Sequence, residues 1–227
     1  MSTPRRDFLA ALSGAAILGS LPSSLSADPT GTIDDAPPVG GRSDWDMSWM
    51  KRLTGKYKVV FDASDLEGGF PIVRANAVGM QYADVFGVPL SQVSRVLVIR
   101  HAAIHFAMND AYWARFKVGA ETKFKGADGK SLTINPVRIP HTGMPEPFRP
   151  LMLQPFQAGG GEVLACALAL QHSVVPKYVE AGMSAEAALA AAKADMLPGI
   201  ILQPSGVFAV SVAQDAGCSF VPASASA

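Results

Sequence analysis

Two cysteines and four histidines are the side chains of this 227-residue chain best suited to nucleophilic, acid–base or metal chemistry. Cys166 lies in the apolar run Val163-Leu164-Ala165-Cys166-Ala167-Leu168, after the break Gly159-Gly160-Gly161 and before an alanine-rich, helix-like segment. A run that short, bounded that way, reads as a buried strand whose carboxyl end delivers the thiol into a loop. The thiolate is the reactive form, and a helix beginning just beyond a strand end supplies a field that favours it. The competing reading is a small buried apolar residue, a usual role for an unpaired cysteine. His101 follows the apolar run Val96-Leu97-Val98-Ile99 and Arg100, where it serves either as a partner for a thiol or as a helix cap. His101 and His105 are four apart, so an α-helix would set both on one face. Such a pair chelates zinc or copper only with further ligands, for which Cys166, His172 or, for copper, Met108 are the candidates. No dedicated ligand motif accompanies them, and His105 reads equally as a packed histidine; no metal site is assigned. Pro204-Ser205-Gly206 opens a helix beside a strand end, which suits either an anion on free backbone N–H groups or a simple N-cap by Ser205. Arg100, Asn109, Asp110 and Trp113 could line the same pocket or form a surface network, and His141 lies in a long polar loop.

The elements that must position these groups follow from hydrophobic spacing. Strands are expected at 56–62, at Val93–Ile99, in the run ending at Cys166, at 199–203 and at 219–221. Helices are expected at 71–86, 102–116, 146–157, 169–181 (interrupted by Pro176), 184–196 and 207–216. Strand–helix alternation with nearly continuous apolar strands predicts a parallel sheet with right-handed crossovers. In such a sheet, ligands bind beyond the carboxyl ends of the strands. Cys166 sits at a carboxyl end and Cys218 at an amino end, hence on opposite edges. A disulfide needs Cα atoms within about 7 Å, so two unpaired thiols are expected. Residues 117–145 form a polar, glycine-rich excursion with an Asp128-Gly129 turn suited to a small hairpin.

Composition bounds the function. With 49% hydrophobic residues and a formal net charge of zero, the chain has enough material for one full domain and lacks the basic surplus of nucleic-acid binders. The beginning of the chain, Thr3-Pro4-Arg5-Arg6-Asp7-Phe8-Leu9 followed by a mild apolar run to Leu21, resembles a twin-arginine export signal. The run is too short and weak for a stable membrane span. That resemblance implies a signal peptide over 1–27, export of an already folded protein, and a location in the periplasm or outside the cell. Residues 28–55, with Pro29, Pro37 and Pro38, read as a linker or N-terminal arm with a short helix near 44–53.

The strand ending Val98-Ile99-Arg100-His101, the strand ending in Cys166, the segment Leu197-Pro198-Gly199-Ile200-Ile201-Leu202-Gln203-Pro204-Ser205-Gly206-Val207 and the segment Ala213-Gln214-Asp215-Ala216-Gly217-Cys218-Ser219-Phe220-Val221-Pro222 together resemble the DsrE/DsrF-like superfamily. The similarity spans 56–222, with 117–145 as an added segment and 223–227 as a loose tail. It implies a three-layer α/β/α fold with a five-stranded parallel sheet and frequent homo-oligomerisation. It also implies that the second and third strands are neighbours, which would put His101 and Cys166 on one edge as a Cys–His pair. Sulfur-trafficking members carry persulfide sulfur on a cysteine after the third strand, and the matching position is Cys166. The expectation is therefore an exported domain with a cysteine-centred pocket for thiol, sulfur or small-ligand chemistry. Cys166 and His101 would be the reacting pair, and Arg100, His105, Asn109, Ser205 and Gly206 ligand contacts. No cofactor is specified. The alternatives are a non-catalytic oligomeric module that binds a partner protein, or a histidine-based metal binder.

Overall fold

The computed structural model describes residues 45–141 and 144–225. These belong to one compact unit, Ser43–Ala227; the other unit, Met1–Arg42, lies outside the described residues, and with it the expected export signal and most of the expected linker.

Five strands form: β1 (Tyr57–Ala63), β2 (Val93–Ile99), β3 (Glu162–Cys166), β4 (Ile200–Gln203) and β5 (Ser219–Pro222). All neighbours are parallel, in the order β4-β3-β2-β1-β5. Alternate residues feed two cores. Val59, Phe61, Ala63, Leu97, Ile99, Val163 and Ala165 face one cluster, and Val60, Val96, Val98 and Leu164 face the other. That double burial is why β2 reads as an unbroken apolar run.

The connections from β1 to β2, β3 and β4 step in one direction across the sheet, so right-handed crossovers place them all on one face. They carry α1 (Phe70–Phe86), α2 (Asp110–Arg115), α3 (Val118–Glu121), α4 (Leu153–Ala158), α5 (residues 167–180) and α6 (Ala185–Ala194). Ile72, Phe156, Leu170, Tyr178 and Ala188 join the core there. The return from β4 to β5 runs the other way and lies on the opposite face. It consists of α7 (Gly206–Asp215), which packs across all five strands through Ala209 and Ala213. Trp49 and Leu53, from the described part of the N-terminal arm, complete that second core, with Trp49 fully buried. The result is a three-layer α/β/α fold. Among the described residues, no helix is long and apolar enough to cross a membrane.

Two expected helices are broken. Instead of one helix over 102–116, a 3-10 turn covers His101–Ala107, the chain extends through Met108, and α2 begins after Asn109. Long-range pairing outweighs helical continuation here. Met108 bridges Met196, Leu197 N–H donates to Ala107 O at 2.8 Å and Asn109 N–H to Asp195 O at 2.8 Å. Buried Asn135, in the excursion over 117–145, donates to the freed carbonyls of Phe106 and Met108 at 2.8 and 2.7 Å. The expected helix over 146–157 is likewise a 3-10 turn, Glu146–Leu151, an extended Met152 and α4. The break lets Leu153 and Gln154 N–H donate to Val137 and Arg138 carbonyls. The Asp128-Gly129 turn is present, closed by a Lys125–Ser131 bridge. The excursion is thus fastened to the core by its own backbone and by Asn135.

Candidate functional site

The topology singles out one place on the sheet. Beyond the carboxyl end of β3 the chain turns to the face with six helices, and beyond β4 it turns to the face with α7. The two loops part there, opening the crevice at which open α/β sheets bind ligands. A cavity of about 300 Å³ occupies it, lined by Arg100, His101, Cys166, Leu168, Ala169, His172, Ser173, Ser205, Gly206 and Val207.

Cys166 is the last residue of β3. It pairs in register with Gln203 at the end of β4, while its neighbour Ala165 pairs with Ile99, so Arg100 continues alongside it. Its side chain is mostly buried, and Sγ accepts the Ala169 N–H at 3.3 Å, capping the start of α5. Gln203 is fully buried and donates from Nε2 to Asp46 O at 2.9 Å, tying the arm to the strand end.

Arg100 is clamped by Asp62 at the end of β1, with Nε to Oδ1 at 2.6 Å and Nη2 to Oδ2 at 2.7 Å. Those hydrogen bonds hold the guanidinium above its ordinary pKa, and the Cys166 sulfur adds to the effect. The site therefore contains a fixed guanidinium–carboxylate pair. Its aliphatic stem lies against α7 so closely that a Cβ on Gly206 would come 2.6 Å from Arg100 Cβ, so the position demands glycine.

His101 is exposed and lies in the left-handed region at φ 46. An L side chain there costs energy, and such strain collects at functional turns. The conformation turns the chain sharply out of β2 and into the 3-10 turn. His172 and Ser173 come from α5, whose middle, Leu170–Val174, is a π turn. Pro176 lacks an N–H and cannot serve the carbonyl four residues earlier, so the α pattern gives way in the turn before it.

Of the expected site residues, Cys166, His101, Arg100, Ser205 and Gly206 meet at this cavity. Ser205 also caps α7, its Oγ accepting the Phe208 N–H at 3.1 Å. His105 and Asn109 lie elsewhere, and their expected ligand contacts are corrected accordingly. A 3-10 turn has three residues per turn, so residues four apart no longer share a face, and His105 is turned into the core while His101 stays out. His105 Nδ1 meets Tyr112 Oη at 2.9 Å, and its carbonyl accepts Trp113 Nε1 at 2.9 Å. Burial above all, with the Lys177 charge adding, pulls its pKa down to about 4. Asn109 caps α2, accepting the Tyr112 N–H at 2.9 Å, and donates to Asp195 at 3.0 Å. Trp113 is fully buried, and Asp110 is paired with Arg138. Among the described residues no group of three or more His, Cys, Asp or Glu could hold a metal ion. Cys166 and Cys218 are both free.

Sequence reasoning passed over Asp62 and treated His172 only as a spare metal ligand. The first was signalled by an acid and a base closing consecutive strands, the second by a histidine four residues before a proline.

No protein-family model matches the chain, and no curated protein matches it. Among solved structures it is similar to a protein of unknown function, MTH1491 from Methanobacterium thermoautotrophicum. The TM-score is 0.39, with 14% identity, 73% of this chain and 98% of that chain covered.

Proposed function

We propose that Cys166 is a nucleophilic thiol and that the crevice between the ends of β3 and β4 binds the sulfur compound or thiol it acts on, in an exported DsrE-like domain. The observation that carries the proposal is one cavity lined by a thiol, two imidazoles and a clamped guanidinium, with no carboxylate among its lining residues. Such a lining sets a thiol beside groups that can carry a proton and donate hydrogen bonds to a ligand. His101 and His172 are the candidate proton acceptors and donors, and Arg100, held by Asp62, is the fixed hydrogen-bond donor. Alkylation of the folded protein with iodoacetamide, followed by peptide mass analysis, tests the reading. Cys218 is an internal control: burial raises its pKa against the opposing charge of Lys58. Labelling of Cys166 in the native state, with Cys218 reacting only on unfolding, is the expected result. Equal protection of both thiols until denaturation ends the proposal.

A second reading, homo-oligomeric assembly, draws support from a different surface. Met80, Val85 and Phe86 on α1 are 52%, 71% and 62% exposed. Tyr82, Val85 and Phe86 line a groove with Ser219 and Val221 of the edge strand β5. Sedimentation of the wild type and of Phe86→Lys distinguishes the outcomes: assembly through this face predicts a multimer that the charge dissociates, and a wild-type monomer rejects it.

A further inference from the structure

We infer that the thiol cavity is one chamber of two, and that the pair takes a small peptidic disulfide bearing carboxylates. This rests on the nucleophilic role given to Cys166 and names the substrate class of the same site.

The second chamber, of about 330 Å³, is lined by Asp62, Arg100, Val207, Val210, Gln214 and Phe220. Arg100 and Val207 line both chambers, so the two adjoin around the Arg100–Asp62 clamp. Val207, common to both, is 68% exposed, and Phe220, which lines the second alone, is 44% exposed. An inorganic sulfur species of a few atoms would be fully accommodated beside Cys166 and would leave the second chamber unused. Ligand sites that bury most of an organic molecule have volumes of roughly 300–1,000 Å³, a range that two adjoining chambers reach comfortably.

The chemistry of the second chamber is that of a peptide chain. Val207, Val210 and Phe220 offer apolar walls, and the Gln214 amide both donates and accepts, as a peptide group requires. Asp62 uses its two oxygens on Nε and Nη2 of Arg100, leaving the Nη1 edge of the guanidinium outside that clamp for a carboxylate. Asp62 and Arg100 neutralise each other, so the clamp adds no net charge, and the thiol chamber has no acid among its lining residues. A ligand carboxylate is favoured over an ammonium group because the outer guanidinium edge offers it N–H donors.

The reaction assigned to the site is thiol–disulfide exchange. Cys166, as thiolate, attacks one sulfur of the disulfide; the bond from Cys166 Sγ forms as the original S–S bond breaks. The released thiolate takes up a proton equivalent to the one Cys166 gave up, with His101 or His172 as the carrier. One disulfide and one thiol become another disulfide and another thiol, with no outside oxidant or reductant.

The test uses the full chain and three probes: oxidised glutathione, which is peptidic and anionic; cystamine, a cationic disulfide; and methyl methanethiolsulfonate, which is too small to reach the second chamber. Rates of adduct formation on Cys166 are read by intact mass for the wild type, Gln214→Glu and Phe220→Ala, both changes at exposed positions. The wild type is expected to prefer glutathione to cystamine. Each variant should lose about three- to fivefold in the glutathione rate, the scale of an exposed contact, with the methanethiolsulfonate rate unchanged. If Cys166 takes methanethiolsulfonate but glutathione shows no advantage, or the variants lose nothing selectively, the second chamber is not a peptide site and the thiol reading survives alone. If folded Cys166 ignores all three probes, both ideas fall.

Discussion

His105 gives the sharpest quantitative expectation. Its imidazole is 6% exposed, its Nδ1 meets Tyr112 Oη, and Tyr112 is itself fully buried. Burial and the Lys177 charge, opposed by Glu121, lower its pKa from 6.5 to about 4. In the unfolded chain the ring protonates as the pH falls through about 6.5. In the folded chain it stays neutral down to about 4. Between those values unfolding takes up one proton, so stability falls with acidity by about 1.4 kcal/mol per pH unit, and by about 3 kcal/mol over the full window. Carboxylates also titrate toward the acid end, so the diagnostic quantity is a difference. His105→Asn keeps an acceptor near the Nδ1 position and removes the titration. Urea unfolding of both proteins at intervals between about pH 7 and pH 4.5 should show the wild type losing about 2 to 3 kcal/mol more than the variant. The variant starts lower at neutral pH because the smaller side chain leaves a void. Parallel stability–pH curves for the two proteins would refute the reasoning, since they would mean that the native ring protonates as freely as the unfolded one.

Three further outcomes follow from single contacts. Asp62→Asn leaves the Arg100 guanidinium without its bidentate partner at a largely buried position, and should cost about 3 kcal/mol in chemical denaturation; adding Arg100→Met should recover part of that loss. Arg95 is 2% exposed, its Nε has no partner, and burial lowers its pKa to about 10, although it stacks over Phe156 at 4.7 Å and donates to Gly159 O at 2.9 Å. Arg95→Met should therefore lie within about 1 kcal/mol of the wild type or above it in thermal unfolding. Gly206→Ala forces a methyl group onto the Arg100 stem; a cost of about 1–3 kcal/mol and an altered rate of Cys166 labelling are expected, whereas an unchanged protein by both measures would mean that α7 and Arg100 separate freely.

The sheet was legible because buried parallel strands advertise themselves. Val96-Leu97-Val98-Ile99 has no polar face, and Gly159-Gly160-Gly161 marks where β3 begins. The positions of Cys166, Arg100 and Ser205 followed from those strand ends, because a strand end is a local property. The break at Met108 was not legible for the opposite reason. Its cause is backbone pairing with residues 195–197 and the side chain of Asn135, partners that no local spacing reveals. The misplacement of His105 followed directly, since the i, i+4 rule was applied to a stretch that winds with a different period. The helix over 146–157 was expected despite Pro150 and Pro155, which lack the N–H a continuous helix needs; hydrogen bonds to the backbone at 137 and 138 complete the break.

The segment 117–145 has a part in both misses, and it bears on the site. Asn135 satisfies the last carbonyls of the 3-10 turn that begins at His101, and Asp110, at the start of α2, receives both the Asn135 N–H at 3.0 Å and Arg138. The turn that holds His101 in its left-handed conformation is therefore braced by a segment whose described residues contribute no side chain to the thiol cavity. Strained backbone persists only where the surroundings over-determine it, and the bracing around Phe106, Met108 and Asn135 supplies that constraint. On this argument the 117–145 excursion is part of the scaffold that presents the imidazole, and the site extends, in mechanical terms, well past the residues that line it.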